Sequence, residues 1–145
     1  MWYIGGGGWL TIDGQTKPTY SLCHAESTNG VVWSRKGTVC LEPRGTPDEF
    51  GFGRPFILFE EGRYRLWYSI RSATGYQIGY AESSDGLAWT RLDHEAGITL
   101  SPPGEWDSEM VCYGAIQDTP AGRFMFYNGN QYGKSGIGVA VLEER

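Results

Sequence analysis

Polar and apolar positions alternate along this chain in short runs, and the runs repeat. Tyr20–Arg35 reads YSLCHAESTNGVVWSR and Tyr76–Arg91 reads YQIGYAESSDGLAWTR, an ungapped match at an offset of 56 with 7 of 16 positions identical. A third, partial copy sets Ile137-Gly138-Val139-Ala140 against Ile78-Gly79-Tyr80-Ala81 at an offset of 59. The aromatic segment ahead of each copy recurs as well: Met1-Trp2-Tyr3, Leu66-Trp67-Tyr68 and Phe124-Met125-Phe126-Tyr127. A period of this size exceeds WD40 blades, at about 40–45 residues, and is nearer to kelch blades, at about 50.

Within each unit the period is two, which places side chains on alternate faces of a strand, and no 12-residue window carries a helical period. With the strands of a blade lettered A to D from the axis outward, the second unit reads A at Phe52–Phe59, B at Arg63–Ile70, C at Tyr76–Ser83 and D at Leu87–Leu92. The third reads A at Met110–Asp118, B at Arg123–Asn128 and C at Ser135–Leu142. The first reads B at Trp2–Ile4, C at Tyr20–Ser27 and D near Val31–Arg35. Gly5–Gly8 reads as a flexible loop between B and C. Asn29-Gly30 and Asp85-Gly86 are expected to supply the positive φ of tight hairpins. The expectation is one all-β domain, residues 1–145: a partial β-propeller of about ten strands in two and a half antiparallel blades, BCD-ABCD-ABC.

Composition agrees with this. The chain has 22 glycines and 14% aromatic residues, which suit strands and turns better than helices. Its net charge of −5 gives no basic face, which argues against nucleic acid and anionic membrane as partners. The aromatic rings suit packing on the C–H face of a sugar as well as ordinary sheet packing. Cys23, Cys40 and Cys112 are odd in number and form no C-x-x-C pair, so neither a disulfide framework nor a zinc site is expected, and reduced thiols point to the cytoplasm. No signal-peptide pattern follows Met1, and the longest apolar run, Phe56–Phe59, is too short to span a bilayer. His24 and His94 belong to no metal-spaced cluster. Gly129-Asn130-Gln131-Tyr132-Gly133-Lys134-Ser135 is one residue short of a P-loop and leads into a glycine-rich strand, not a helix. No cofactor or metal is expected.

The motifs GRYRLWYS, IGYAESSDGLAWTR, EFGFGRP, WDSEMVCY and MFYNGNQYGKSGIGVAVLE resemble the C-terminal half of five-bladed β-propeller proteins related to glycoside hydrolase families 43, 32 and 62 and to the mannoside phosphorylases. The resemblance covers nearly the whole chain. It implies half of a five-bladed propeller with a sugar site at the axis, where carboxylates at the starts of the innermost strands act on the glycosidic bond. That chemistry needs two acids, one to protonate the leaving oxygen and one to attack or to activate water. On these positions Glu109 and Asp107 are the candidate catalytic residues, and Arg54, Trp106, Tyr113, Asp48 and Glu49 the candidate substrate contacts. Arg71 and Asn128, at the ends of B strands, read as structural. Arg54-Pro55 matches the Arg-Asp-Pro motif of the family-32 type without its Asp, and Glu109 stands three residues before Cys112. The chain begins at a B strand, so the earlier innermost strand that bears the partner acid is not in it. The implied reading is a carbohydrate-active protein that works on or binds a glycoside as an oligomer. The alternative is a catalytically inert sugar-binding or structural remnant. Incomplete blades with exposed sheet edges point to a homodimer.

Overall fold

The computed structural model describes residues 1–34 and 37–143. Among the described residues ten strands follow one another: β1 (Trp2–Ile12), β2 (Gln15–His24), β3 (Thr38–Leu41), β4 (Gly51–Glu60), β5 (Arg63–Arg71), β6 (Tyr76–Ser83), β7 (Thr90–Arg91), β8 (Cys112–Thr119), β9 (Gly122–Asn128) and β10 (Ile137–Val141). A 3-10 turn at Asp93–Glu95 and a single turn at Asn130–Gly133 are the helical segments among the described residues. The strands group as β1–β3, β4–β7 and β8–β10, three antiparallel blades in the expected pattern.

The middle blade is packed on both sides. On one face Phe52, Leu66, Tyr68 and Ala81 meet Leu22, Trp2 and Ile4 of the first blade. On the other Ile78 and Tyr80 meet Val111, Ile116, Met125 and Tyr127 of the third. Alternation along β5 and β6 assigns these residues to opposite faces, so one blade of period two serves two cores. At the far end of the second interface, Arg123 of β9 binds Glu60 of β4 and Asp118 of β8, and Arg65 of β5 also reaches Glu60 at 2.9 Å.

The sequence repeat is a repeat of hydrogen bonds. Ser27 Oγ accepts from the amides of Asn29 and Gly30, and Asn29 Oδ1 accepts from those of Val31 and Val32. Ser83 and Asp85 do the same for Asp85, Gly86, Leu87 and Ala88. Trp33 and Trp89 each donate an indole N–H to the glycine carbonyl three residues back. Gly30 and Gly86 take positive φ, 72° and 75°, as expected. The turns, however, are wide side-chain-organised loops and not tight hairpins, because the Ser and Asx side chains satisfy amides that a hairpin ladder would have used.

Other expectations give way. The loop foreseen at Gly5–Gly8 is strand: β1 runs unbroken to Ile12 and pairs with β2 through to Ile12↔Gln15. The two-residue connection is Asp13-Gly14, with φ of 50° and 73°, both left-handed as a type I′ turn requires. The ladder slips between Gly6 and Gly8, and the glycines form a bulge that bends the hairpin. Accordingly β2 starts at Gln15 and not Tyr20. The outer strand placed near Val31–Arg35 forms instead at Thr38–Leu41, because Val31 and Val32 are taken up by the Asn29 loop; Arg35 lies outside the described residues. The outer strand of the second blade shrinks to Thr90–Arg91 for the same reason. One parallel bridge, Tyr20↔Gly51, joins the first two blades. A Cβ at Gly51 would stand 3.3 Å from the Tyr20 ring and 3.4 Å from its amide nitrogen, so a glycine lets the strands meet.

Candidate functional site

The innermost strands β4 and β8 share one irregularity. Between Gly53↔Ser69 and Phe56↔Trp67 the strand β4 carries one residue more than β5. Between Cys112↔Asn128 and Ala115↔Phe126 the strand β8 carries one more than β9. Both bulges lie 59 residues apart at matching positions, and the left-handed residue in each is not glycine: Arg54 with φ 38° and Tyr113 with φ 60°. Such a backbone costs about 1–2 kcal/mol and persists only where the surroundings enforce it. Ser69, fully buried, supplies part of the enforcement, since its Oγ accepts the Tyr113 amide at 2.8 Å across the blade interface. Val111 donates its amide to the Tyr76 carbonyl at 3.0 Å beside it. The bulges turn Arg54 and Tyr113 out of the sheet alternation at the end where β4 and β8 begin.

Around them lies an aromatic cluster. Tyr113 and Tyr132 stack with centroids 6.4 Å apart, and Tyr76 stands 6.0 Å from Tyr113 and 5.8 Å from Tyr132. Burial pushes the Tyr76 hydroxyl up to about 12 against the opposing charge of Arg71. Burial also raises Tyr113, against both Arg71 and Arg54. The Tyr76 and Tyr113 phenols are therefore neutral donors and acceptors at ordinary pH. A cleft of about 450 Å³ opens here, lined by Arg71, Ser72, Tyr76 and Tyr132 on one side and by Asp13 and Lys17 of the β1–β2 hairpin on the other. That volume is within the usual range for a small-molecule site.

The sequence candidates fall into different environments. Glu109 is exposed, and its carboxylate has no hydrogen-bond or ionic partner among the described residues. Its backbone is fixed: Asn130 Oδ1 accepts the amides of Glu109 at 2.8 Å and Met110 at 2.9 Å, while Asn130 Nδ2 donates to the Glu105 carbonyl. Ser135 Oγ donates to the Trp106 carbonyl at 2.6 Å, which pins the same loop. Asp107 is buried; Oδ2 accepts from the Tyr127 hydroxyl at 2.9 Å and Oδ1 has no partner among the described residues. Trp106 stacks on Tyr127 at 5.6 Å over the bare backbone of Gly129, Gly136 and Gly138. Asp48 is exposed. Glu49, its neighbour, is buried, with both oxygens held by Arg91 at 2.6 and 2.8 Å. Thus Arg54, Tyr113 and the Glu109 loop gather at one end, whereas Asp107, Trp106 and Glu49 face structural partners.

Sequence reasoning missed Tyr76, Tyr132, Ser69, Asn130 and the hairpin, and favoured a structural role for Arg71. The Asp13-Gly14 pair was the available signal for the hairpin. Among the described residues no three His, Cys, Asp or Glu side chains gather to hold a metal, and no helix is long and apolar enough to cross a membrane.

With this geometry in view, comparisons place the fold. No family model matches the chain. Uncharacterized protein Rv1502 of Mycobacterium tuberculosis is 38% identical over 143 residues, covering 99% of this chain and 46% of that protein, and uncharacterized protein MT1551 from another strain is equally similar. The chain thus spans about half the length of the curated relatives it matches. A thermostable family-43 glycoside hydrolase superposes with a TM-score of 0.68 at 16% identity, over 99% of this chain and 50% of that one. The chain has part of that protein's fold. Zg3597, a family 117 glycoside hydrolase of Zobellia galactanivorans, gives 0.66 at 18% identity over 83% of this chain and 36% of its own, and a further glycoside hydrolase gives 0.65 at 18% over 99% and 41%.

Proposed function

We propose that this end of the chain is part of the sugar site of a five-bladed, glycoside-processing propeller. The observation that carries the reading is the pair of matched bulges, which present Arg54 and Tyr113 beside a tyrosine-lined cleft. Tyrosine faces pack on pyranose rings and their hydroxyls, with the arginine forks, bind sugar hydroxyls. Glu109 is the proposed proton donor, held on a loop whose backbone is stapled by Asn130. Asp107 and Trp106 hold that loop from beneath, and Asp48 is the proposed rim contact. Glu49 serves the site by fixing the start of β4 through Arg91. The three free thiols fit a reducing, cytoplasmic setting.

A panel of neutral monosaccharides and nitrophenyl glycosides, followed by calorimetry and tyrosine fluorescence, tests the reading. Saturable binding that weakens with Tyr132→Ala at unchanged circular dichroism is expected. Absence of binding across the panel refutes it.

Glycoside cleavage uses two carboxyl groups about 5–5.5 Å or 6.5–9.5 Å apart. Asp107 and Glu49 are committed elsewhere, so we propose that a second copy of the chain contributes the partner acid in a homodimer. The outward face of β10, with Ile137, Val139 and Val141 each more than half exposed, is an apolar strip suited to association. Light scattering is expected to give twice the 16.1 kDa chain mass at micromolar concentration; a stable monomer defeats the shared-site arrangement.

A further inference from the structure

Positive charge is distributed unevenly over this acidic chain. Of the described arginines, Arg44, Arg63, Arg65, Arg91 and Arg123 each have a carboxylate within 4.0 Å. Arg54 and Arg71 have none among the described residues, and both stand at the end that carries the cleft.

Arg71 is the better placed of the two. It ends β5, and its guanidinium lies over the ring of Phe50 at 5.0 Å and that of Tyr20 at 5.7 Å. Phe50 is only 2% exposed, so this platform is fixed by the core. A guanidinium seated over aromatic rings keeps a planar fork of N–H donors, which can meet a planar anion with two parallel hydrogen bonds. No protein acceptor takes those donors among the described residues, and Arg71 lines the cleft together with Tyr76 and Tyr132. Lys17 enters from the hairpin side, where its ammonium donates to Gln15 Oε1 at 2.6 Å. Among the described residues the one acid lining the cleft is Asp13 at the hairpin tip. Arg71 is half-buried and has no carboxylate partner among the described residues, although a chain of net charge −5 has acids to spare for pairing it.

We infer that the cleft takes a glycoside carrying an anionic substituent, a carboxylate or a phosphate ester, with the anion seated on Arg71 and the sugar ring against Tyr76 and Tyr132. The inference rests on the sugar-site reading above and narrows its substrate class. Glucose, glucuronic acid and glucose 6-phosphate, with the galactose series alongside, are titrated by calorimetry at low and high salt. One or both anionic sugars are expected to bind at least about tenfold more tightly than the neutral sugar, the margin shrinking with salt. Whichever anion wins identifies the source. Arg71→Gln is expected to bring the anionic-to-neutral ratio to about one, and Arg71→Lys to restore part of it, since the charge returns without the planar fork. Circular dichroism and the urea midpoint verify that both variants are folded. Equal affinity for neutral and anionic sugars in the wild type overturns the inference while leaving the sugar site standing. A preference that survives Arg71→Gln in a folded protein also overturns it. Absence of binding by every sugar removes both.

Discussion

Arg91→Met is expected to destabilise the chain by about 3–5 kcal/mol, because it strands a buried carboxylate. Arg91 holds Glu49 through two hydrogen bonds and Asp93 through two more, at 3.0 and 2.6 Å. Asp93 in turn accepts the Tyr68 hydroxyl at 2.6 Å and the Tyr80 amide at 3.2 Å. The guanidinium also lies over Phe52 and Tyr68, so its stem and its charge are both embedded. Without it Glu49, 3% exposed, keeps the Arg44 amide at 3.0 Å and a looser contact with the exposed Arg44 side chain. A domain of this size is stable by only about 5–15 kcal/mol, so urea denaturation should reveal a large fall in midpoint. The double variant Glu49→Gln/Arg91→Met is expected to recover part of the loss, since the orphaned charge is gone. A single variant that loses under 1 kcal/mol would show that the network is not holding the start of β4.

Turnover of any glycoside the chain cleaves is expected to fall about 10²–10⁴-fold in Glu109→Gln, the usual contribution of a positioned acid or base. Glutamine keeps the size of the side chain and leaves the two amide hydrogen bonds to Asn130 in place, because those come from the backbone. The loop and the urea midpoint should therefore be unchanged. Asn130→Ala is the complementary variant: it frees the Glu109 and Met110 amides and disturbs placement while keeping the acid, so it should lower turnover less. Wild-type and Glu109→Gln protein with equal turnover would remove Glu109 from the chemistry.

The three inner strands of the second blade were legible to within a residue at each end, because period two fixes their faces and the repeat marks their order. The first blade was less so. Four consecutive glycines at Gly5–Gly8 carry no side-chain pattern, and only the ladder with β2 shows that they are extended. The outer strands were misplaced because Asn29 and Asp85 spend local amides on turns, a competition that hydrophobic pattern does not register. Glu49 and Asp48 illustrate the limit for the site: adjacent acids in one loop, separated in role by an arginine 42 positions downstream. The bulges left no trace either. Gly53-Arg54-Pro55 and Cys112-Tyr113-Gly114 share no chemistry, only a register, and a register exists only once strands are paired.

The interface between the second and third blades is pinned at its two ends by different chemistry. Beside the cleft the links are uncharged, Ser69 to Tyr113 and Tyr76 to Val111. At the opposite end they are ionic, and the hydrogen bond from Arg123 holds the Glu60 carboxyl below its ordinary value, with Arg65 adding to the effect. A depressed carboxyl contributes its stability above the unfolded value and forfeits it as pH falls through the lowered one. Salt weakens the same pairs and leaves the neutral links untouched. Acid and salt therefore act on this interface as on a wedge driven from the remote side: the blades are expected to part first at the Arg123–Glu60 end, and the geometry around Arg54 and Tyr113 to yield last.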